Sequence, residues 1–300
     1  MARINRRIYD NKTITFNFIA WFFILCGVVF CLFPILIIVS GSFTSEKALL
    51  LHGHNIYPRE VSLEAYNFVF RKVDSLMRAY ENTIVITILG TFIGLLCITM
   101  AAYTLARKDF KYRNVIAFLI YFTSIFGGGL IPWYMVMTKI LHFRNSYMAR
   151  LIPGLMTPYL IFLMRTFIQR SVPGEMIEAA KIDGANDWRI YRTVVLPILI
   201  PAMATVGLFL ALGYWNEWYN TSIFITDKTK YSLQYYLYSM LNSAKMAKEV
   251  AALAGVKTAD VPAESTKMAM VVVTTGPIIF LYPFVQRYFV SGLTIGAVKG

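Results

Sequence analysis

Six stretches of this 300-residue chain are apolar over the length needed to cross a bilayer, and few folds accommodate that pattern. They are Phe16–Ser40, Thr83–Leu105, Val115–Met137, Met148–Met164, Val194–Tyr214 and Met268–Val285. A spanning helix needs roughly 20 mostly apolar residues. The fourth stretch is the shortest and carries Pro153 and Pro158. Apart from Arg150 near one end of the fourth, the six contain no Asp, Glu, Lys, Arg or His. Inside hydrocarbon the backbone must satisfy its own hydrogen bonds, which such runs do as helices. The expected fold is an all-α integral membrane protein, a single transmembrane domain over residues 1–300 with six transmembrane helices. The first run is much longer than the roughly 7–15 apolar residues of a cleaved signal, so it reads as an anchor.

The net charge of +13 raises the question of nucleic acid, but the basic residues lie scattered between the apolar runs. With no basic stripe, a nucleic-acid partner is excluded. Basic loops on one side of a membrane explain the same excess. Arg3, Arg6, Arg7 and Lys12 place the N-terminus in the cytoplasm, and six spans return the C-terminus there. The loop with Arg107, Lys108, Lys111 and Arg113 then faces the cytoplasm, as does the loop over 169–193, with Arg170, Lys181, Arg189 and Arg192.

That second loop is polar and helix-forming. Ser171 and Pro173 mark a helix start, and Gly184 marks a stop. Val172, Met176, Ala179 and Ala180 share one helical face, opposite Glu175, Glu178 and Lys181, although Ile182 breaks the pattern. Asn186 caps a second helix leading through Trp188, Tyr191 and Val195 into the fifth span, which Pro197 and Pro201 are expected to kink. A short cytoplasmic helix, turned by a glycine and joined to a membrane helix, has the geometry of a lever.

These residues resemble the EAA loop of binding-protein-dependent ABC importer permeases. The motif reads Glu178-Ala179-Ala180, then Gly184, Val194 where the family has isoleucine, and Leu196-Pro197. Asp183-Gly184-Ala185, "GYWNEWYN" at 213–220 and "QRYFVSGLTIGAVKG" at 286–300 resemble the carbohydrate, maltose-permease-type members. "GGGLIPWYMV" at 127–136 and "LHFRNSYMARLIPG" at 141–154 are similar to the LplC/YtcP-like branch, whose cargoes are oligosaccharides or polysaccharide fragments. The resemblance implies the type I importer permease fold in a bacterial plasma membrane, crossed several times. It implies a second permease subunit, an ATPase dimer beneath, and an extracellular or lipid-anchored solute-binding protein. ATP and Mg would be held by the ATPase, with no cofactor on this chain. Glu178, Ala179, Ala180, Asp183, Gly184, Leu196 and Pro197 would form the ATPase-coupling site. The tail Ser291–Gly300 would reach the ATPases.

Two further groups are candidates for the substrate pathway. Gly127 and Gly128, with Gly129 and Pro132, interrupt the third span, either to line a watery cavity or to allow close helix packing. Trp215, Asn216 and Trp218 end the fifth span beside Glu217, as a sugar-binding cluster or as an aromatic belt at the lipid headgroups.

Rival classes find less support. An ion-coupled secondary transporter places ionisable groups within its spans, and these spans hold almost none. The histidines His52, His54 and His142 fall in outer loops, with no metal-ligand or nucleophile cluster near them, so no catalytic or metal site is expected. "AGVKT" at 254–258 lacks the glycines and the Gly-Lys pair of a phosphate loop. The cysteines Cys26, Cys31 and Cys97 sit in apolar runs as packing residues. An importer of a non-sugar solute remains the alternative within the same family.

Overall fold

The computed structural model describes residues 11–253, 264–277 and 279. Among them the regular elements are all helical, apart from one isolated bridge between Thr44 and Val61. The chain divides into two compact units, one drawn from residues 1–71 and 243–275, the other from 72–242 and 276–300.

In the first unit, α1 (Asn11–Ser42) leaves its apolar side chains largely uncovered, Phe30 for example at 82% exposure. Such a surface suits a lipid environment. Two short helices follow, α2 (Glu46–His52) and α3 (Glu64–Val69). The buried Glu46 carboxylate accepts the backbone N–H groups of Glu264 and Ser265 and the Ser265 hydroxyl, all at 3.0–3.1 Å. Residues 264–277 are helical, so Glu46 satisfies donors that a helix start leaves unpaired and sits at its positive end.

The second unit contains α4 (Val73–Ala106), α5 (Arg113–Ile125), α6 (Leu130–Met135), α7 (Met148–Leu151), α8 (Pro158–Ser171), α9 (Gly174–Ile182), α10 (Asp187–Ile190), α11 (Leu196–Trp215) and α12 (Tyr219–Phe224). A further helix, α13, runs over Leu233–Leu253. The core lies where α4, α8 and α11 meet, around Ile98, Ile161, Met164, Leu199 and Val206. Tyr214 locks this packing: its hydroxyl donates to the Leu151 carbonyl at 2.8 Å. Its ring lies so close to α4 that a Cβ on Gly90 would stand 2.4 Å away. Small residues let membrane helices approach in this way.

Among the described residues three helical stretches are long and apolar enough to span a bilayer: Thr15–Ser42, Val73–Ala106 and Asp187–Phe224, the last interrupted near its end at 216–218. They coincide with the first, second and fifth expected spans. Each runs past at least one of its expected bounds, because hydropathy marks the membrane and not the helix. Asp74, Arg78 and Glu81 are polar, yet α4 continues through them.

The third and fourth expected spans are both bent. Arg113–Ile125 and Leu130–Ile140 meet at 112°, and Met148–Gly154 and Pro158–Ser171 meet at 41°. In the sharper bend the chain leaves helical geometry at Phe126, which is extended, and Gly129, with a φ of 85° that suits glycine, turns it into α6. In the other, Pro158 opens α8 and restricts Thr157 before it to an extended backbone. The sixth expected span, Met268–Val285, lies partly outside the described residues; 268–277 and 279 are helical.

Candidate functional site

The loop over 169–193 forms the expected pair of short helices, with its start shifted. Ser171 belongs to α8, which ends at Val172 because the residue before Pro173 avoids helical geometry. Pro173 then leads into α9 without a side-chain cap. At the other end Gly184 has a φ of 76°. Its N–H donates to the Lys181 carbonyl and that of Ala185 to the Ala180 carbonyl, both at 3.0 Å, which is a Schellman closure. Asp183, exposed, is the last residue before this turn. Asn186 caps α10 as expected, its side chain accepting the Arg189 N–H at 2.9 Å.

From α10 the backbone passes through one wide π turn at Tyr191–Val195 and continues into α11. The Leu196 N–H reaches back five residues to the Tyr191 carbonyl at this point. Pro197, next in line, has no N–H for the Thr193 carbonyl and crowds it, so the hydrogen-bond ladder widens here. Helix α10 is therefore continuous with a membrane-spanning helix, while α9 is hinged to it at Gly184.

The faces of α9 differ from the expected division. Ile177 and Ala180 pack against the unit's own core, together with Ala185. Met176, Glu178, Ala179 and Ile182 face outward, Ile182 at 87% exposure. Met176, Ala179 and Ile182 are spaced by three and form one exposed apolar stripe. Ile182, which breaks the expected pattern, belongs to the outward face, and Ala180 belongs to the inner one.

A charged clamp, not anticipated from sequence, ties this loop to the end of α4. The Arg107 guanidinium bridges Asp109 and Asp187, with Nε to Asp109 Oδ1 at 2.9 Å. Lys181 Nζ meets Asp109 Oδ2 at 2.5 Å. Asp187 lies in the first turn of α10 and Lys181 in the last turn of α9, each where the helix dipole favours its charge. Hydrogen bonds from Arg107 and then Lys181 hold the Asp109 carboxyl well below the usual carboxylate range. A depressed carboxylate contributes fully above its ordinary value, near pH 4, and the contribution fades only as pH falls through the folded value. The clamp is thus intact across the neutral range. Asp109→Asn removes two exposed pairs worth up to about 1 kcal/mol each. Amide hydrogen exchange over residues 174–190 is expected to quicken roughly fivefold, as about 1 kcal/mol of local opening energy dictates. Unchanged exchange would show the clamp to be idle.

The remaining candidates separate into two places. Gly127 and Gly128 lie in the exposed break before α6, where an added Cβ on Gly127 meets nothing within 4 Å. A Cβ on Gly128 would meet only Pro132 Cβ, at 3.8 Å, so among the described residues no other helix packs closely on either glycine. Trp215 is buried. Asn216 donates to the Leu212 carbonyl at 3.0 Å and accepts from Gln234 at 3.1 Å. Trp218 is half exposed, its ring centroid 5.5 Å from that of Tyr238.

Beside these lies a buried ion pair. Arg150 Nε donates to Glu217 Oε2 at 3.2 Å and Nη1 to the Lys230 carbonyl at 3.2 Å. Glu217 also accepts the Thr221 N–H at 3.1 Å and its hydroxyl at 2.7 Å. The sequence signal was present in the one cation inside an expected span, but not its partner.

The family described as binding-protein-dependent transport system inner membrane component matches residues 90–295. The chain is 31% identical to the polygalacturonan/rhamnogalacturonan transport system permease protein YtcP of Bacillus subtilis, covering 96% of this chain and 100% of that protein. It is 33% identical to protein LplC of the same organism, over 93% of this chain and 95% of LplC. Against the arabinooligosaccharides transport system permease protein AraQ of Halalkalibacterium halodurans the identity is 28%, over 96% and 95%. A solved bacterial ABC transporter involved in importing the acidic polysaccharide alginate contains a chain that superposes with a TM-score of 0.76. That chain is 29% identical, with 94% of this chain and 99% of its own length covered.

Proposed function

The chain belongs to the inner membrane components of binding-protein-dependent transport systems, and from that premise we propose that it lines, with a second permease, the path of an oligosaccharide delivered by an extracellular binding protein. It is a permease subunit of an ABC importer, an all-helical integral protein of the bacterial plasma membrane. One observation carries the coupling reading. The exposed stripe of Met176, Ala179 and Ile182 beside Glu178 lies on a helix hinged to a membrane span. An ATPase dimer that holds ATP and Mg is the partner this stripe fits. Its closure would push α9, and the push would reach α11 through the Gly184 turn and α4 through the Arg107 clamp.

The names of the relatives support a carbohydrate cargo, since polygalacturonan, rhamnogalacturonan and arabinooligosaccharides are all sugar polymers or fragments. Gly127, Gly128, Trp215, Asn216 and Trp218 are proposed for the pathway, and both termini for the cytoplasmic side. The expected contact of Ser291–Gly300 with the ATPases concerns residues outside the described ones. Affinity purification of the tagged chain from its native membrane tests the assembly. A second permease and an ATPase should come down with it, and vesicles holding the complex should take up neutral or acidic oligosaccharides in an ATP-dependent manner. Recovery of the chain alone would overturn the subunit reading. ATP-dependent uptake of amino acids or peptides in place of sugars would overturn the cargo.

A further inference from the structure

The start of α5 and the end of α8 stand on the same side of the membrane. Arg113 opens α5 just after the loop that carries Arg107 and Asp109, and α8 leads into the loop over 169–193. The clamp of Arg107, Asp109, Lys181 and Asp187 joins those two loops. Helices α5 and α8 therefore run antiparallel, and Tyr121 meets Phe162 edge-on between them, ring centroids 6.3 Å apart. Along this seam lies a half-open groove of about 560 Å³, walled mainly by Ala117, Phe118, Tyr121, Pro158, Tyr159 and Phe162. Phe118 and Tyr159 are exposed. Ala117 and Ser124, both on its wall, give the groove a length of roughly 10 Å at the helical rise.

Two arginines stand beyond the loop end of this groove. Arg113 lies one turn before Ala117, and Arg165 lies three residues past Phe162 and seven past Pro158, on one side of α8. Arg165 is partly covered, with Nε buried and unpartnered, so the part it presents is its two terminal nitrogens. No hydrogen bond or ion pair engages Arg165 among the described residues. Arg113 uses Nη1 on the Arg107 carbonyl at 3.3 Å and keeps its other donors. Neither helix contains an acidic residue, and the nearby Asp109 and Asp187 are engaged in the clamp.

We propose that the seam between α5 and α8 holds one anionic phospholipid of the leaflet beside the 169–193 loop, an acyl chain along the groove and the phosphate at Arg165 and Arg113. Charge selects the headgroup. Two unmatched cations attract a net anion, whereas choline or ethanolamine brings its own cation and cancels the gain. Apolar walls select the tail, because a soluble phosphate would leave the groove unfilled. A helix of a second permease would have to carry carboxylates to the edge of the hydrocarbon, at a desolvation cost. A lipid phosphate already lies at headgroup depth and incurs none. The inference is independent of which solute the importer carries.

The test uses the whole importer in a neutral detergent, with phosphatidylglycerol bearing a photoactivatable acyl chain. Peptides labelled on illumination are mapped by mass spectrometry. Label should concentrate on residues 117–124 and 158–162, well above the level per residue on the exposed apolar α1. Unlabelled phosphatidylglycerol should displace it at about a tenth or less of the phosphatidylcholine required, as two arginines dictate. Glycerol 3-phosphate, which has the charge without the chain, should not displace it. Arg165→Gln should cut the preference for phosphatidylglycerol about fivefold, and Arg165→Lys should keep it. Should Arg165→Gln fail to assemble, the wild-type labelling and competition decide. Groove label no higher than that on α1 would leave only a general lipid surface, or a seam covered by protein, and would overturn the proposal. Equal displacement by phosphatidylcholine, displacement by glycerol 3-phosphate, or an unchanged preference in Arg165→Gln would overturn it as well.

Discussion

Ile182→Asp is expected to abolish ATP-driven uptake while the chain still reaches the membrane in normal amount. Ile182 is 87% exposed on α9 and is not buried against the described residues, so its replacement should leave the described fold intact. Burying such a side chain in a partner contributes about 1.5–3 kcal/mol, and placing a carboxylate there adds the cost of a desolvated charge. Together these weaken docking by two orders of magnitude or more. Glu178→Ala should act in the same direction, because Glu178 is exposed one turn earlier and, on the proposed coupling, faces the ATPase. Ala180→Leu would also stop transport, for another reason: Ala180 packs inward, and added bulk strains the chain's own core. Uptake, ATPase retention and membrane abundance measured in parallel distinguish the routes. Wild-type uptake and retention in Ile182→Asp would mean that α9 is merely a polar connector.

Arg150→Met alone should destabilise the chain by about 3–5 kcal/mol, because it strands a buried carboxylate. Glu217→Leu alone should do the same by stranding the guanidinium. Changing both together removes the charges along with their desolvation, so the double variant should regain much of the loss. Thermal unfolding in detergent, followed by the fraction of chain remaining soluble, gives the three values. Strictly additive losses would show that the two side chains are not coupled.

The parts of this protein legible in its sequence are those encoded by neighbours along the chain. A long apolar run without charges favours helix in a bilayer, so hydropathy marks where the apolar helices lie, though not the breaks inside the third and fourth runs. Gly184 and Asn186 announce the hinge between α9 and α10 because a left-handed turn and an N-cap depend on single residues and their own backbone. Tertiary structure alone decides the rest. Arg150 and Glu217 stand 67 positions apart and Arg107 and Asp187 stand 80, and nothing local makes either pair meet. The packing of α4, α8 and α11 brings them together. The outward face of α9 is illegible for a related reason. Its apolar residues surround much of so short a helix, and only the core beside Ile177 and Ala180 settles which side is covered. The glycines at 127–129 mark a weak point in the third span, but the 112° of its bend is set by the φ of Gly129 and by where the helices on either side find contact. Local sequence determines what each segment can be; long-range packing determines which faces remain for a partner, because burial is a property of the whole chain.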